Sequence, residues 1–100
     1  MNELGGIMQD LPSPLELLET TQTTDVLVWC IGLLTHKARV HLGLVPGKEA
    51  QDLDQARLAI DAAAALADLL TGKVGGDVLG ELLMHIADLR LSYLQAKGAP

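Results

Sequence analysis

The feature that most constrains this chain is the width of the apolar surface on its predicted long helices. Glycine and proline stops and acidic start positions predict helices over residues 25–42, 52–70 and 77–97. A surface helix of a globular protein carries an apolar stripe a little over about 100° wide. In the second and third of these helices, the polar side chains gather on one side, and nearly all of the remaining positions are apolar. Each helix therefore offers more apolar surface than packing within one chain can bury.

The composition favours a purely helical fold. Hydrophobic residues make up 49% of the chain, but only Trp29 and Tyr93 are aromatic, so the core must consist of Leu, Ile, Val and Ala. No stretch alternates apolar and polar residues over the length of a strand. We expect an all-α fold of three long antiparallel helices that assembles into an oligomeric helical bundle.

A short helix is also predicted near the start of the chain. Ser13 can cap it, Pro14 suits its first position and Glu16 can close a capping box. This helix is expected to end near Glu19, and a polar linker rich in threonine follows. Residues 1–24 are therefore interpreted as an N-terminal arm, and residues 25–100 as a three-helix domain.

The second apolar flank of each long helix predicts self-association. If these flanks stayed in water, they would form a patch larger than the few hundred Å² that monomers usually expose. We expect a homo-oligomer, a dimer or higher; another protein is the second candidate partner. The predicted interface residues are Leu66, Leu70, Leu83, Met84, Leu91 and Leu94. In the alternative to self-association through these flanks, the leucines of the short N-terminal helix cover part of the excess apolar surface, either within their own chain or across a partner.

Charge and cysteine content exclude several classes of protein. The net charge of −6, with scattered basic residues, argues against nucleic-acid partners and against anionic membrane surfaces. The longest apolar run, residues 26–34, is too short to cross a bilayer. Cys30 is the only cysteine, so no internal disulfide is expected, and its apolar neighbours predict a buried thiol without redox function. With no basic leader at the start, the expected location is the cytoplasm.

One set of side chains has the spacing of metal ligands. Glu81, His85 and Asp88 share a face of the last helix and could bind a metal if another helix supplied further ligands. The favoured interpretation is a solvated face with one Glu–His pair, so neither a metal nor another cofactor is expected. His41 falls in the last turn of its helix, where an imidazole can interact with free carbonyl groups.

Arg90 is unusual because it lies inside the apolar arc of the last helix. An arginine in that position needs a partner or a route to water. Asp61 or Asp68 is the expected partner, within one chain or between two subunits. Arg57 is expected to form surface ion pairs along its own helix with Asp54 and Asp61.

No catalytic pattern is present in the sequence. It contains no paired catalytic carboxylates and no nucleophile motif, and residues 75–76, although both glycine, lack the strand and the lysine of a phosphate loop. We therefore expect a non-enzymatic homo-oligomer that serves as an interaction or scaffold module. A bundle that binds a small ligand or a metal between its helices is the alternative.

Four blocks along the chain also match a known pattern. They are residues 41–46 (His-Leu-Gly-Leu-Val-Pro), residues 54–61, a turn around Lys73 and residues 88–94 (Asp-Leu-Arg-Leu-Ser-Tyr-Leu). From about Val26 onward, their order and spacing resemble a small bacterial family catalogued as domain of unknown function 1844. The turn after Lys73 departs from the family pattern and is about one helical turn shorter. The resemblance implies an all-α fold and self-association, and it implies no reaction, cofactor or catalytic residue.

Overall fold

The computed structural model describes residues 14–47 and 51–98, and every regular element in these segments is a helix. The helices are α1 (Pro14–Thr20), α2 (Thr23–His41), α3 (Leu53–Leu69) and α4 (Gly76–Ala96). The predicted all-α class is confirmed for the described part of the chain, and the long helices begin and end within two residues of the predicted bounds. Ser13, the predicted cap of the first helix, lies outside the described residues.

The start of α2 differs from the prediction. The expected five-residue linker is reduced to Thr21 and Gln22, because the Gln22 carbonyl accepts hydrogen bonds from the backbone N–H groups of Asp25 and Val26 at 3.0 and 3.2 Å. Threonine has only a modest helix penalty, so the run of threonines does not prevent an additional first turn. Asp25 lies in that first turn, as predicted from its charge.

Backbone and side-chain caps fix both ends of the α2–α3 connection. Gly43 has a φ of 77°, and its N–H donates to the Val40 carbonyl while the Leu44 N–H donates to the Arg39 carbonyl, both at 3.0 Å. This is the Schellman arrangement that favours glycine after a helix. At the start of α3, Asp52 Oδ1 accepts a hydrogen bond from the Gln55 N–H at 3.2 Å and thereby caps the helix.

The core is built mainly between α2 and α3. The inward face of α3 consists of Ile60 and four fully or nearly fully buried alanines, and α2 places Ile31, Thr35 and Ala38 in the core. The four alanines are Ala56, Ala59, Ala63 and Ala67. Small side chains let two helices approach closely, because the interaxial distance depends on the residues at the contact. These two helices therefore form the most tightly packed part of the described structure.

Helix α4 packs on this pair with a narrower buried face. Only Ile86 and Leu89 of α4 are buried, and Leu82 and Tyr93 pack beside them in a half-buried setting. Leu79 and Ala96 of α4 also pack against the core in a half-buried setting. None of the described helices combines the length and apolarity that a membrane span requires.

Helix α1 does not cover the excess apolar surface. It has no buried residue, and its leucines Leu15, Leu17 and Leu18 are all exposed. The alternative in which these leucines pack onto the long helices of their own chain is therefore not the arrangement in the structure. The apolar flanks that the sequence predicted remain in contact with solvent in the single chain.

Candidate functional site

The outer face of α4 carries a continuous line of apolar and small residues. Its members follow one another in alternating steps of four and three residues, and all of them are exposed. We call this line the α4 stripe; it consists of Gly80, Met84, Ala87, Leu91 and Leu94. Of the three large side chains in the stripe, Met84 is 68% exposed, Leu91 57% and Leu94 50%. Alternating steps of three and four are the spacing with which one helix packs along another.

The stripe has a shallow depression at its N-terminal end. Gly76 and Gly80 lie one helical turn apart beside Met84, and a methyl group built on either glycine would meet no atom within 4 Å. The missing side chains leave space that the chain itself does not fill. A neighbouring helix could therefore approach this end of α4 closely.

Charged and polar residues of different character flank the stripe. At a spacing of seven residues, one flank carries Leu83, Arg90 and Lys97, and the other carries Glu81, Asp88 and Gln95. One edge of the stripe is therefore basic and the other is acidic. Such flanking residues determine orientation and partner choice when helices pair.

Four of the six predicted interface residues are exposed on α4: Leu83, Met84, Leu91 and Leu94. Leu66 of α3 is half-buried against the core. The prediction is wrong for Leu70, which is 0% exposed and belongs to the core of the single chain. Leu70 follows Ala63 and Ala67 at helical spacing on the inward face, so it has no surface to offer a second copy.

The three residues with the spacing of metal ligands lie on the surface of α4. Glu81, His85 and Asp88 are exposed, and the described residues contain no group of three or more His, Cys, Asp or Glu side chains placed to hold a metal ion. Nη2 of Arg39 in α2 lies 3.5 Å from Nδ1 of His85. A guanidinium at that distance opposes the binding of a second cation by this imidazole. Cys30 is a free thiol and is half-buried rather than fully buried.

A groove of about 340 Å³ lies between α3 and α4, beside the α4 stripe. Its lining residues are Arg57, Ile60, Asp61, Arg90, Tyr93, Leu94 and Lys97. Ile60 is buried at its floor, and Tyr93 is half-buried. Three of the seven lysines and arginines of the chain line this groove, together with only one of the thirteen acidic residues.

Of the ion pairs predicted around the groove, the described residues form the pair of Arg57 with Asp61 and not the others. Arg57 Nε lies 3.7 Å from Asp61 Oδ2, and both side chains are more than half exposed. Arg90 forms no ion pair with Asp61 or Asp68 in the described structure, because Asp61 pairs with the arginine one turn away on its own helix. The predicted pair between Asp54 and Arg57 is not formed either. Arg90 and Lys97 are therefore two cations without a partner in the described segments.

The groove was not predicted from the sequence, although part of the signal was present. Arg90, Tyr93, Leu94 and Lys97 are spaced to share one face of α4. The contribution of α3 depends on how the two helices are rotated against each other, and the spacing within one helix does not determine that rotation.

A family model described as domain of unknown function (DUF1844) matches residues 24–95. The match includes α2, α3 and nearly all of α4, and thus both the α4 stripe and most of the groove. No curated protein and no solved structure matches the chain.

Proposed function

This chain belongs to the family described as domain of unknown function (DUF1844), and from that premise we propose that it is a non-enzymatic homo-oligomeric interaction module. In this proposal its three long helices run antiparallel, and the α4 stripe packs against the same stripe of a second copy. The observation that carries the proposal is the exposure of the stripe on the face of α4 opposite to Ile86 and Leu89. The lone free cysteine requires no oxidising compartment, which favours a cytoplasmic location.

The exposed side chains of the stripe support a second copy as the occupant. Met84, Leu91 and Leu94 are 68%, 57% and 50% exposed. A stable protein interface covers about 800 Å² on each partner, and an interface centred on the stripe would remove these three side chains from water.

The chemistry of the stripe fits a helix of the same kind. The stripe contains three large side chains, Met84, Leu91 and Leu94, and two small residues, Gly80 and Ala87, on either side of Met84. Met84 of one copy can therefore pack beside small residues of the other. The stripe is self-complementary, and a two-fold dimer uses the same patch on both subunits. The flexible thioether of Met84 can adapt to the space above the glycines.

The first test of the proposal is the mass of the protein in solution. We expect light scattering at micromolar concentration to give a mass that is a multiple of 10.6 kDa, because the apolar stripe drives association. Sedimentation equilibrium at several loading concentrations measures the same quantity independently. A single species of 10.6 kDa at all concentrations, without binding of a hydrophobic dye, would contradict self-association.

The charged flanks further predict the orientation of the paired helices. In parallel pairing, the basic flank of one helix faces the acidic flank of its partner, whereas antiparallel pairing places like flanks together. We therefore expect the two α4 helices to be parallel, so that each stripe residue meets its own copy. A Leu91→Cys variant in a Cys30→Ala background should then form a disulfide-linked dimer on mild oxidation, since equivalent residues of a parallel pair lie close enough.

The matched control for this experiment uses two positions together. In an antiparallel pair centred near Ala87, position 84 would face position 91 of the partner. Crosslinking of a Met84→Cys, Leu91→Cys double variant without crosslinking of either single variant would overturn the parallel orientation. It would leave self-association itself in place.

A further inference from the structure

The groove between α3 and α4 has the composition of a site for an anion with an apolar body. Arg57, Arg90 and Lys97 face it with Asp61 as the one carboxylate, which leaves the groove with a net charge of +2 in a chain of net charge −6. Asp61 is already paired with Arg57. The charge that remains available therefore belongs to Arg90 and Lys97.

The two available cations lie on one side of α4. Arg90 and Lys97 are two helical turns apart, and Tyr93 and Leu94 lie between them on the same face. Both residues are exposed, and neither side chain makes a hydrogen bond or an ion pair within residues 14–47 and 51–98. A carboxylate or phosphate placed between them would gain charge-assisted hydrogen bonds without displacing an existing partner.

The floor of the groove defines the rest of the ligand. The buried Ile60, the ring of Tyr93 and the side chain of Leu94 form an apolar base below the cations. Small-molecule sites typically combine an apolar lining with a few polar groups and have volumes of about 300–1,000 Å³. The groove, at about 340 Å³, is at the small end of that range, which suits a short organic acid.

We propose that the α3–α4 groove binds a small organic anion, with its carboxylate or phosphate group on Arg90 and Lys97 and its aliphatic or aromatic body over Ile60 and Tyr93. The site is formed by residues of a single chain, and binding of the anion does not require self-association. Arg90, Leu94 and Lys97 also border the proposed α4–α4 interface, so a second copy packed on the stripe would compete with the anion for them. A protein that is monomeric in solution would contradict that association and would leave this site intact.

The test is a titration of the full chain with octanoate, followed by the backbone amide signals in ¹H–¹⁵N nuclear magnetic resonance spectra. We expect the largest shifts at Arg90, Tyr93, Leu94 and Lys97. Acetate provides the head group alone and octanol the apolar body alone, and both should bind at least about tenfold more weakly than octanoate, because each loses one of the two contacts. Octyl phosphate distinguishes a phosphate-preferring site from a carboxylate-preferring one.

Charge-removing variants assign the binding to the groove. Arg90→Gln and Lys97→Gln should each weaken octanoate binding about five- to tenfold, since each removes one charge-assisted contact. Lys37→Gln is the matched control, because Lys37 is an exposed cation on α2 outside the groove and its replacement changes the net charge equally. Equal binding of octanol and octanoate, an equal effect of Lys37→Gln, or shifts centred on the α1 leucines would overturn the proposal.

Discussion

Replacing Met84 and Leu91 together with glutamate is expected to convert the proposed α4–α4 assembly into a single chain of 10.6 kDa. Both side chains are more than half exposed in the single chain and lie away from its core, so the variant should keep its helical content. In the paired helices each carboxylate would be buried without a partner, which costs several kcal/mol. We expect association to weaken by at least about 100-fold, measured by sedimentation equilibrium.

The matched control adds the same charge at other exposed leucines. Leu33 of α2 and Leu58 of α3 are 71% and 62% exposed and are not part of the α4 stripe. A Leu33→Glu, Leu58→Glu variant has the same net charge as the Met84→Glu, Leu91→Glu variant, and it should still associate. If the control dissociated to the same degree, general charge repulsion would explain the result. An α4 variant that remained oligomeric would show that the stripe is not the interface.

Replacing Ile31 with alanine is expected to lower the free energy of unfolding by about 2–5 kcal/mol. Ile31 is 0% exposed and is one of the largest fully buried side chains of the core. Its truncation removes apolar contacts and leaves a cavity that the packed helices fill only in part. Urea unfolding followed by circular dichroism measures the loss. The Met84→Glu, Leu91→Glu chain is the suitable background, because association would otherwise add to the apparent stability.

Leu33→Ala provides the control for this prediction. Leu33 lies two residues after Ile31 on the same helix, but it is 71% exposed and points away from the core. Its replacement should change the free energy of unfolding by no more than about 0.5 kcal/mol. Equal losses for the two variants would mean that α2 does not present Ile31 to α3 as the structure describes.

The helix ends could be predicted because local chemistry determines them. Gly43 adopts a positive φ that other residues rarely tolerate, and Asp52 supplies the oxygen that caps α3. The start of α2 was predicted two residues late, because a run of threonines weakly disfavours helix but does not prevent it. The backbone hydrogen bonds of an additional turn outweigh the weak helix propensity of these threonines.

The site could be predicted only in part, because the spacing along one helix gives angular positions but no partner. The exposed α4 leucines were identified from their place on the helix. Leu70 was wrongly assigned to the interface, since only the packed structure shows that its direction coincides with that of the buried Ala63 and Ala67. The predicted ion pair of Arg90 with Asp61 was wrong for a related reason, because Asp61 pairs with Arg57 on its own helix.

The unequal burial of the helices has a consequence for how the molecule opens. The buried alanines of α3, which include Ala56 and Ala63, pack closely against α2. Helix α4, in contrast, contributes only two buried side chains to the core. Local opening begins where few apolar contacts resist it, so α4 is the one of the three long helices that we expect to detach at the lowest free energy. A ligand or a second copy that binds α4 would also stabilise the packing of α4 against α2 and α3. Binding would therefore raise the fraction of molecules in which α4 is ordered.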